Sequence, residues 1–128
     1  MKNQRLKIIV CLLVSAFLLI TVASVVFIKL NAVEKFSLSD YSCELVDFKS
    51  DLRVDPIDSA KEAKKAAETI WISKYGESVK KKWPYIVYRD EKSGAWMITG
   101  SIPRGRSGGV PNLIVKDDGT VLAVWHDR

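Results

Sequence analysis

SAKEAKKAAETIWISKYG, residues Ser59 to Gly76, is the segment downstream of the N-terminus that reads as a full amphipathic helix. Ser59 is a good N-cap, because its hydroxyl accepts from a free backbone N–H of the first turn. Glu62, three residues on, completes a capping box. Ala60, Ala63, Ala67, Ile70, Trp71 and Tyr75 recur at three- and four-residue spacings and so share one face. Lys61, Lys64, Lys65 and Glu68 fall largely elsewhere and are expected to face water. Gly76 offers the left-handed stop that helices often need, and Pro56 suits a break before the cap. The apolar face starts with alanines, which let a sheet approach closely. It ends with Ile70, Trp71 and Tyr75, which fill the wide end. Burying Ile70 and Trp71 contributes about 1.5–3 kcal/mol each, more for the indole. Everything C-terminal of this helix is expected to fold onto it as a small sheet.

The chain has 128 residues, enough for one small domain, and a formal net charge of +5. That charge resembles a nucleic-acid signal until it is located. Lys2, Arg5, Lys7 and Lys29 flank an apolar run, and all 15 acidic residues follow position 29. From Leu30 onward, 16 basic residues face 15 acidic ones, a net of +1. Nucleic-acid binding needs clustered cations, so this balance argues against it.

Ile8 to Ile28, IIVCLLVSAFLLITVASVVFI, is 21 residues without a charge. As a helix it extends roughly 31 Å, about one bilayer core. Basic residues precede it, and after it Lys29 stands alone while Glu34 and Lys35 cancel. The positive-inside rule then places the N-terminus in the cytoplasm and the rest beyond the inner membrane, in the periplasm or outside the cell. A signal peptide cleaved after Ala23 is the rival reading. Continuation of the apolar run through Val25, Val26 and Phe27 favours an uncleaved anchor over residues 1–29. Cys11 lies inside this run with most of it still to follow, which is wrong for lipid attachment. Cys43 is the one cysteine outside the run, so no disulfide framework exists, and it reads as a semi-buried apolar residue.

Residues 30–55 read as a linker that orders against the domain, with Phe36, Leu38, Tyr41, Leu45 and Phe48 suited to a short helix or strand. The domain itself is expected over 56–128. After Gly76, Glu77 to Trp83 reads as a short helical turn stopped by Pro84, with Lys80, Lys81 and Lys82 on a solvated face. Strands follow at Tyr85–Arg89, Ala95–Ile102, Val110–Lys116 and Thr120–His126. The polar stretch Asp90–Gly94 and the tight turn Asp117-Asp118-Gly119 join two of the pairs. In the second strand Trp96, Ile98 and Gly100 share one side, Met97 and Thr99 the other. The fold class is therefore α+β: one main helix on an antiparallel sheet of about four strands.

Catalytic patterns are missing. The one histidine, His126, lies near the C-terminus and reads as a surface or edge residue. One histidine and one extramembrane cysteine do not suffice for a zinc site, and no other metal or cofactor motif is present. Gly105, Gly108 and Gly109 suggest a phosphate loop, but such loops lead from a strand into a helix, and this one joins two strands. Arg104 and Arg106 project from it toward a partner surface, with Ser107 beside them. Trp96 and Trp125 are aromatic candidates for the same partner-binding role, on an open sheet face.

Four stretches carry a family likeness: IWISKYGE (Ile70–Glu77), KWPY (Lys82–Tyr85), AWMITGSIPRGRSGGVP (Ala95–Pro111) and KDDGTVLAVWH (Lys116–His126). Together they resemble the bacterial immunity proteins of polymorphic toxin systems with a nuclear-transport-factor-2-like fold. The resemblance implies a cystatin-like or nuclear-transport-factor-2-like architecture. It also implies structural roles for Trp71, Tyr75, Gly76, Pro84, Gly100, Pro103, Gly105, Gly108 and Gly109. It implies a non-enzymatic protein that binds a cognate toxin and, given the anchor, a toxin acting outside the cytoplasm. An envelope-tethered structural or ligand-binding domain without a toxin partner is the alternative. A hydrolase built on His126 is the third reading.

Overall fold

The computed structural model describes residues 1–128, apart from the side chains of residues 29 and 30. The chain divides into two compact units, Met1–Asn31 and Ala32–Arg128.

The first unit is a single helix, α1 (Lys2–Leu30), long and apolar enough to cross a membrane. Its hydroxyls bond to its own backbone. Ser15 Oγ donates to the Cys11 carbonyl at 2.9 Å, Thr21 Oγ1 to Leu18 and Ser24 Oγ to Ile20, both at 2.8 Å. Helical serine and threonine often bond back to the carbonyl three or four residues earlier.

In the second unit the helix read from the sequence appears as α3, Ala60–Tyr75. The Ser59 hydroxyl accepts from the Glu62 N–H. The Glu62 carboxylate reaches back to the N–H of Asp58, one residue before the cap. Gly76 ends the helix at φ +85°. Ala63, Ala67, Ile70 and Trp71 are buried, with Ala60 and Tyr75 partly so. The 3-10 turn Glu77–Lys82 follows, its lysines largely solvated and Val79 buried.

The sheet contains the four antiparallel strands expected: β2 (Ile86–Asp90), β3 (Ala95–Thr99), β4 (Pro111–Lys116) and β5 (Val121–His126). It also has a fifth. β1 (Val33–Lys35) comes from the stretch read as linker and pairs with β2 in parallel, Val33 opposite Val87. The spatial order β1-β2-β3-β4-β5 is therefore a mixed sheet with one parallel edge. The rest of that stretch is a 3-10 turn, Leu38–Tyr41, and a short helix α2, Ser42–Asp47.

These pieces cover the face of the sheet that the sequence left open. One face holds Trp96, Ile98, Leu113 and Val115 against Trp71 and the alanines of α3. The other holds Ala95, Met97, Ile114 and Ala123 under Phe36, Leu38, Tyr41, Leu45 and Phe48. The alternation read in β3 is correct, and β4 is buried from Pro111 to Val115, as a strand covered on both faces is. A bulge opposite Ile114 and Val115 brings Val121 and Val124 to the α3 face and Ala123 to the other.

Register defines two ends. Ile86 lies opposite Thr99, Thr99 opposite Asn112, and Asn112 opposite Trp125. Val33, the first residue of β1, is at this same end, because β1 runs parallel to β2. We call it the proximal end. The distal end carries the tight turns after Asp90 and Lys116.

Candidate functional site

On the face away from α3, the segment from Lys35 to Glu44 does not close completely over the strands. It leaves a cleft of about 520 Å³. Phe36 and Tyr41 pack edge to face at 5.9 Å, and Tyr41 continues to Trp125 at 5.9 Å. Tyr88 of β2 and Met97 of β3 form the floor. Asn112 is buried there but satisfied: its Oδ1 accepts from Thr99 Oγ1 at 3.0 Å and its Nδ2 donates to the Val110 carbonyl at 3.1 Å.

The rim is acidic. Asp40, Glu44 and Asp127 line it against the single cation Lys35. Asp127 is engaged by the Trp125 indole N–H at 3.0 Å. The carboxylates of Asp40 and Glu44 have no hydrogen-bond or ion-pair partner among the described residues. Burial raises the Tyr41 phenol above its ordinary pKa, and the charges of Glu44, Asp40 and Asp127 raise it further. Burial raises Tyr88 likewise, with Glu34 adding to it. The cleft is thus an aromatic slot in a negative field, with its hydroxyls protonated at neutral pH.

The residues expected at a partner surface separate into three places. Trp125 is half-buried and lines the cleft. Trp96 is not on an open face. It is 8% exposed, on the α3 side, because the pleat at β3 sends it there. Its indole N–H donates to Asp117 Oδ1 at 2.8 Å, and the Arg89 guanidinium stacks on its ring at 4.5 Å. Arg104, Arg106 and Ser107 are exposed on the loop between β3 and β4 at the proximal end.

The Arg106 N–H donates to the Pro103 carbonyl at 3.1 Å, with Gly105 at φ +76°, a turn that needs a left-handed third residue. It projects both arginines. Gly109 answers a different demand: a Cβ there would lie 1.4 Å from the Asp127 carbonyl oxygen. Gly100 lets the Pro111 ring approach, at 2.8 Å from where its Cβ would be. Trp71 is fully buried and donates to the Asn112 carbonyl at 3.3 Å. Tyr75 stacks edge-on against His126 at 5.4 Å.

His126 is exposed, with Nδ1 2.6 Å from the Asp127 carbonyl oxygen. Cys43 is exposed rather than semi-buried, because α2 turns Leu45 toward the sheet and leaves Cys43 outward. No group of three or more His, Cys, Asp or Glu among the described residues could hold a metal ion. The cleft residues Phe36, Tyr41 and Glu44 were hidden in the presumed linker. The spacing of Phe36, Leu38, Tyr41, Leu45 and Phe48 was their signal, and it locates the aromatic lining but not the acidic rim.

Neither the curated proteins nor the solved structures returned a significant match to the chain. A family model described as NTF2 fold immunity protein matches residues 62–128, just over half of the chain. The matched part begins in the first turn of α3 and runs through β5, so it includes the helix, the antiparallel strands and the glycine loop whose constraints are described above. The chain belongs to the NTF2 fold immunity protein family.

Proposed function

We propose that this protein is a membrane-anchored immunity protein of a polymorphic toxin system. It binds a cognate toxin outside the cytoplasm and blocks it by contact. The family match over residues 62–128 carries the reading. Families of this kind act by binding rather than by catalysis. The anchor is α1, with the domain in the periplasm or outside the cell, as the flanking charges suggest.

The toxin contact we assign to the cleft. Tyr41 and Trp125 offer rigid aromatic surface at little entropic cost, and Asp40 and Glu44 are carboxylates awaiting a cation. The complementary occupant is a basic segment of the toxin, with a lysine or arginine over the aromatic rings.

The test is protection. Cells attacked by the cognate toxin, sought among secreted toxins of the native host by co-purification with the full chain, should survive when they carry the full chain. The combined change Asp40→Lys and Glu44→Lys should abolish survival while the protein remains folded and abundant. Death of cells carrying the unaltered chain would overturn the immunity reading. Survival with the doubly altered chain would leave immunity standing and move the contact elsewhere.

A further inference from the structure

One wall of the cleft is a segment with little hold of its own. Residues 38–47 make a 3-10 turn of four residues and then α2, six residues long, and neither contains a buried residue. Ser37 and Tyr41, at the two N-cap positions, make no side-chain capping bond. A helix this short does not sustain itself in water, so tertiary contacts must place it. The buried residues of the cluster beneath it are Ala95, Met97, Ile114 and Ala123, and the two alanines offer little apolar surface. Yet this segment carries Asp40, Tyr41 and Glu44 of the cleft lining.

A single carboxylate ties the segment to the sheet. Among the described residues, the one hydrogen bond from residues 38–47 to the strands runs from the Leu38 N–H to Asp90 Oδ2, at 3.0 Å. Leu38 begins the 3-10 turn, so the bond fixes the segment at its root, just ahead of Asp40 and Tyr41. The same oxygen accepts from Ser93 Oγ at 2.8 Å, and Oδ1 accepts from the Lys92 N–H at 3.0 Å. These bonds hold the Asp90 carboxyl below the usual carboxylate range, the Leu38 N–H contributing most. The group is therefore an ionised acceptor at neutral pH, which makes the stronger kind of hydrogen bond.

The Leu38 bond is not a requirement of the β2–β3 turn. The turn is served by the bond from the Lys92 N–H, two residues on, as aspartate turns commonly are. The other contacts of the segment are apolar and half-buried. Phe36 meets Tyr41, and Tyr41 meets Trp125, each at 5.9 Å. Phe48, just past α2, packs against both core clusters. Apolar contact has no preferred direction, so it keeps the segment near the sheet without fixing where Asp40 and Glu44 point. A hydrogen bond does have a direction.

We infer that Asp90 is a positioning residue for the toxin-binding cleft: through the Leu38 N–H it sets the placement of the wall that presents Asp40, Tyr41 and Glu44. Asp90 does not line the cleft, so it acts on a partner only through that wall. This role rests on the assignment of the toxin contact to the cleft.

The full chain in a zwitterionic detergent tests this by amide hydrogen exchange and by binding of a hexa-arginine peptide, a stand-in for a basic segment. Asp90→Ala should speed exchange over residues 38–47 about fivefold, as loss of one hydrogen bond does, and leave α3, β3 and β4 unchanged. Peptide affinity should fall by a similar factor. Asp90→Asn keeps an oxygen for the Leu38 N–H and should recover most of both. Because it removes the same charge, equal weakening by Asn and Ala would reveal a charge effect and overturn the role. Unchanged exchange over residues 38–47 in Asp90→Ala overturns it. So does acceleration spread evenly over the sheet, which marks a residue of general stability. Faster exchange with undiminished peptide affinity also overturns it. If the unaltered chain does not bind the peptide, or Asp40→Lys with Glu44→Lys binds it equally well, the cleft reading itself fails. The exchange contrast then decides by itself whether Asp90 holds the wall.

Discussion

The two ends of the sheet are built in opposite ways. At the distal end the turns are tight and the carboxylates of Asp90, Asp117 and Asp118 are all hydrogen-bonded. The guanidinium of Arg89 forks onto Asp117 at 2.5 and 2.9 Å while stacking on Trp96, which also donates to Asp117. Residues 52–57 are strapped across the β4–β5 turn, with Val54 donating to the Gly119 carbonyl at 2.9 Å and Ile57 to Asp117 at 2.8 Å. At the proximal end the loop from Gly100 to Val110 is long, its arginines have no ion-pair partner among the described residues, and a tryptophan faces outward. The difference teaches that groups satisfied inside the fold hold it together, and groups left unsatisfied are where it meets something else.

The largest expected effect sets the scale for both ends. Trp71 packs edge-on against Tyr85 at 5.2 Å and is fully buried under the sheet, so Trp71→Ala should cost roughly 3–5 kcal/mol in chemical unfolding of the domain. An unchanged denaturation midpoint would refute the packing of α3 on the strands.

A matched pair of glycines separates the ends. At Gly119, φ is +85° and a Cβ would lie 2.0 Å from the Val54 carbonyl oxygen, so Gly119→Ala should cost about 3 kcal/mol by strain and by displacing the strap. At Gly105, φ is +76° but no atom lies within 4 Å of a Cβ, so Gly105→Ala should cost only about 1 kcal/mol. Equal losses would break the contrast between a closed and an open end.

The clamp comes next. The Arg89 side chain is mostly buried and that of Asp117 half exposed, so solvent screens part of the pairing. Arg89→Ala should cost about 2 kcal/mol. The hydrogen bonds from Arg89 and then from Trp96 hold the Asp117 carboxyl below the usual range. A depressed folded value means stability that is present above the ordinary carboxylate pKa of about 4 and lost as pH falls through the folded value. Unfolding titrations should therefore show acid sensitivity below about pH 4 that is reduced in Asp117→Asn. A variant with the wild-type acid profile would show that other carboxylates govern it.

The smallest effect on stability belongs to the proximal loop. Arg104→Glu with Arg106→Glu should change unfolding free energy by no more than about 0.5 kcal/mol, as exposed sites away from packing do. A loss comparable to that of Arg89→Ala would mean that the loop is part of the scaffold rather than a contact surface.

Local signals made much of this legible. The cap at Ser59, the alanine face and the stop at Gly76 lie within one helix, and each is a short-range preference of the backbone. The hairpin turns are equally local. β1 is different: three exposed residues, Val33 to Lys35, gain a partner more than fifty positions later, and no pattern in three residues announces that. Missing β1 and α2 left one sheet face bare on paper. Trp96 reads from the sequence as an open-face residue although it lies under α3, because alternation with Met97 separates the two faces without saying which one the helix covers. The acidic rim stayed hidden because Asp40 and Glu44 lie in a segment whose charges look like those of any solvated linker. The loop glycines were legible as a group, but the backbone contact that demands Gly109 depends on the chain's last residues returning beside it.

The reading as a whole depends on the domain lying beyond the inner membrane, where an incoming toxin can be met. Alkaline phosphatase fused after Arg128 of the full chain measures this directly, because it gains activity only after export. The account predicts an active enzyme and a dark green fluorescent protein at the same junction. A fluorescent fusion with inactive phosphatase would put the cleft in the cytoplasm and contradict it.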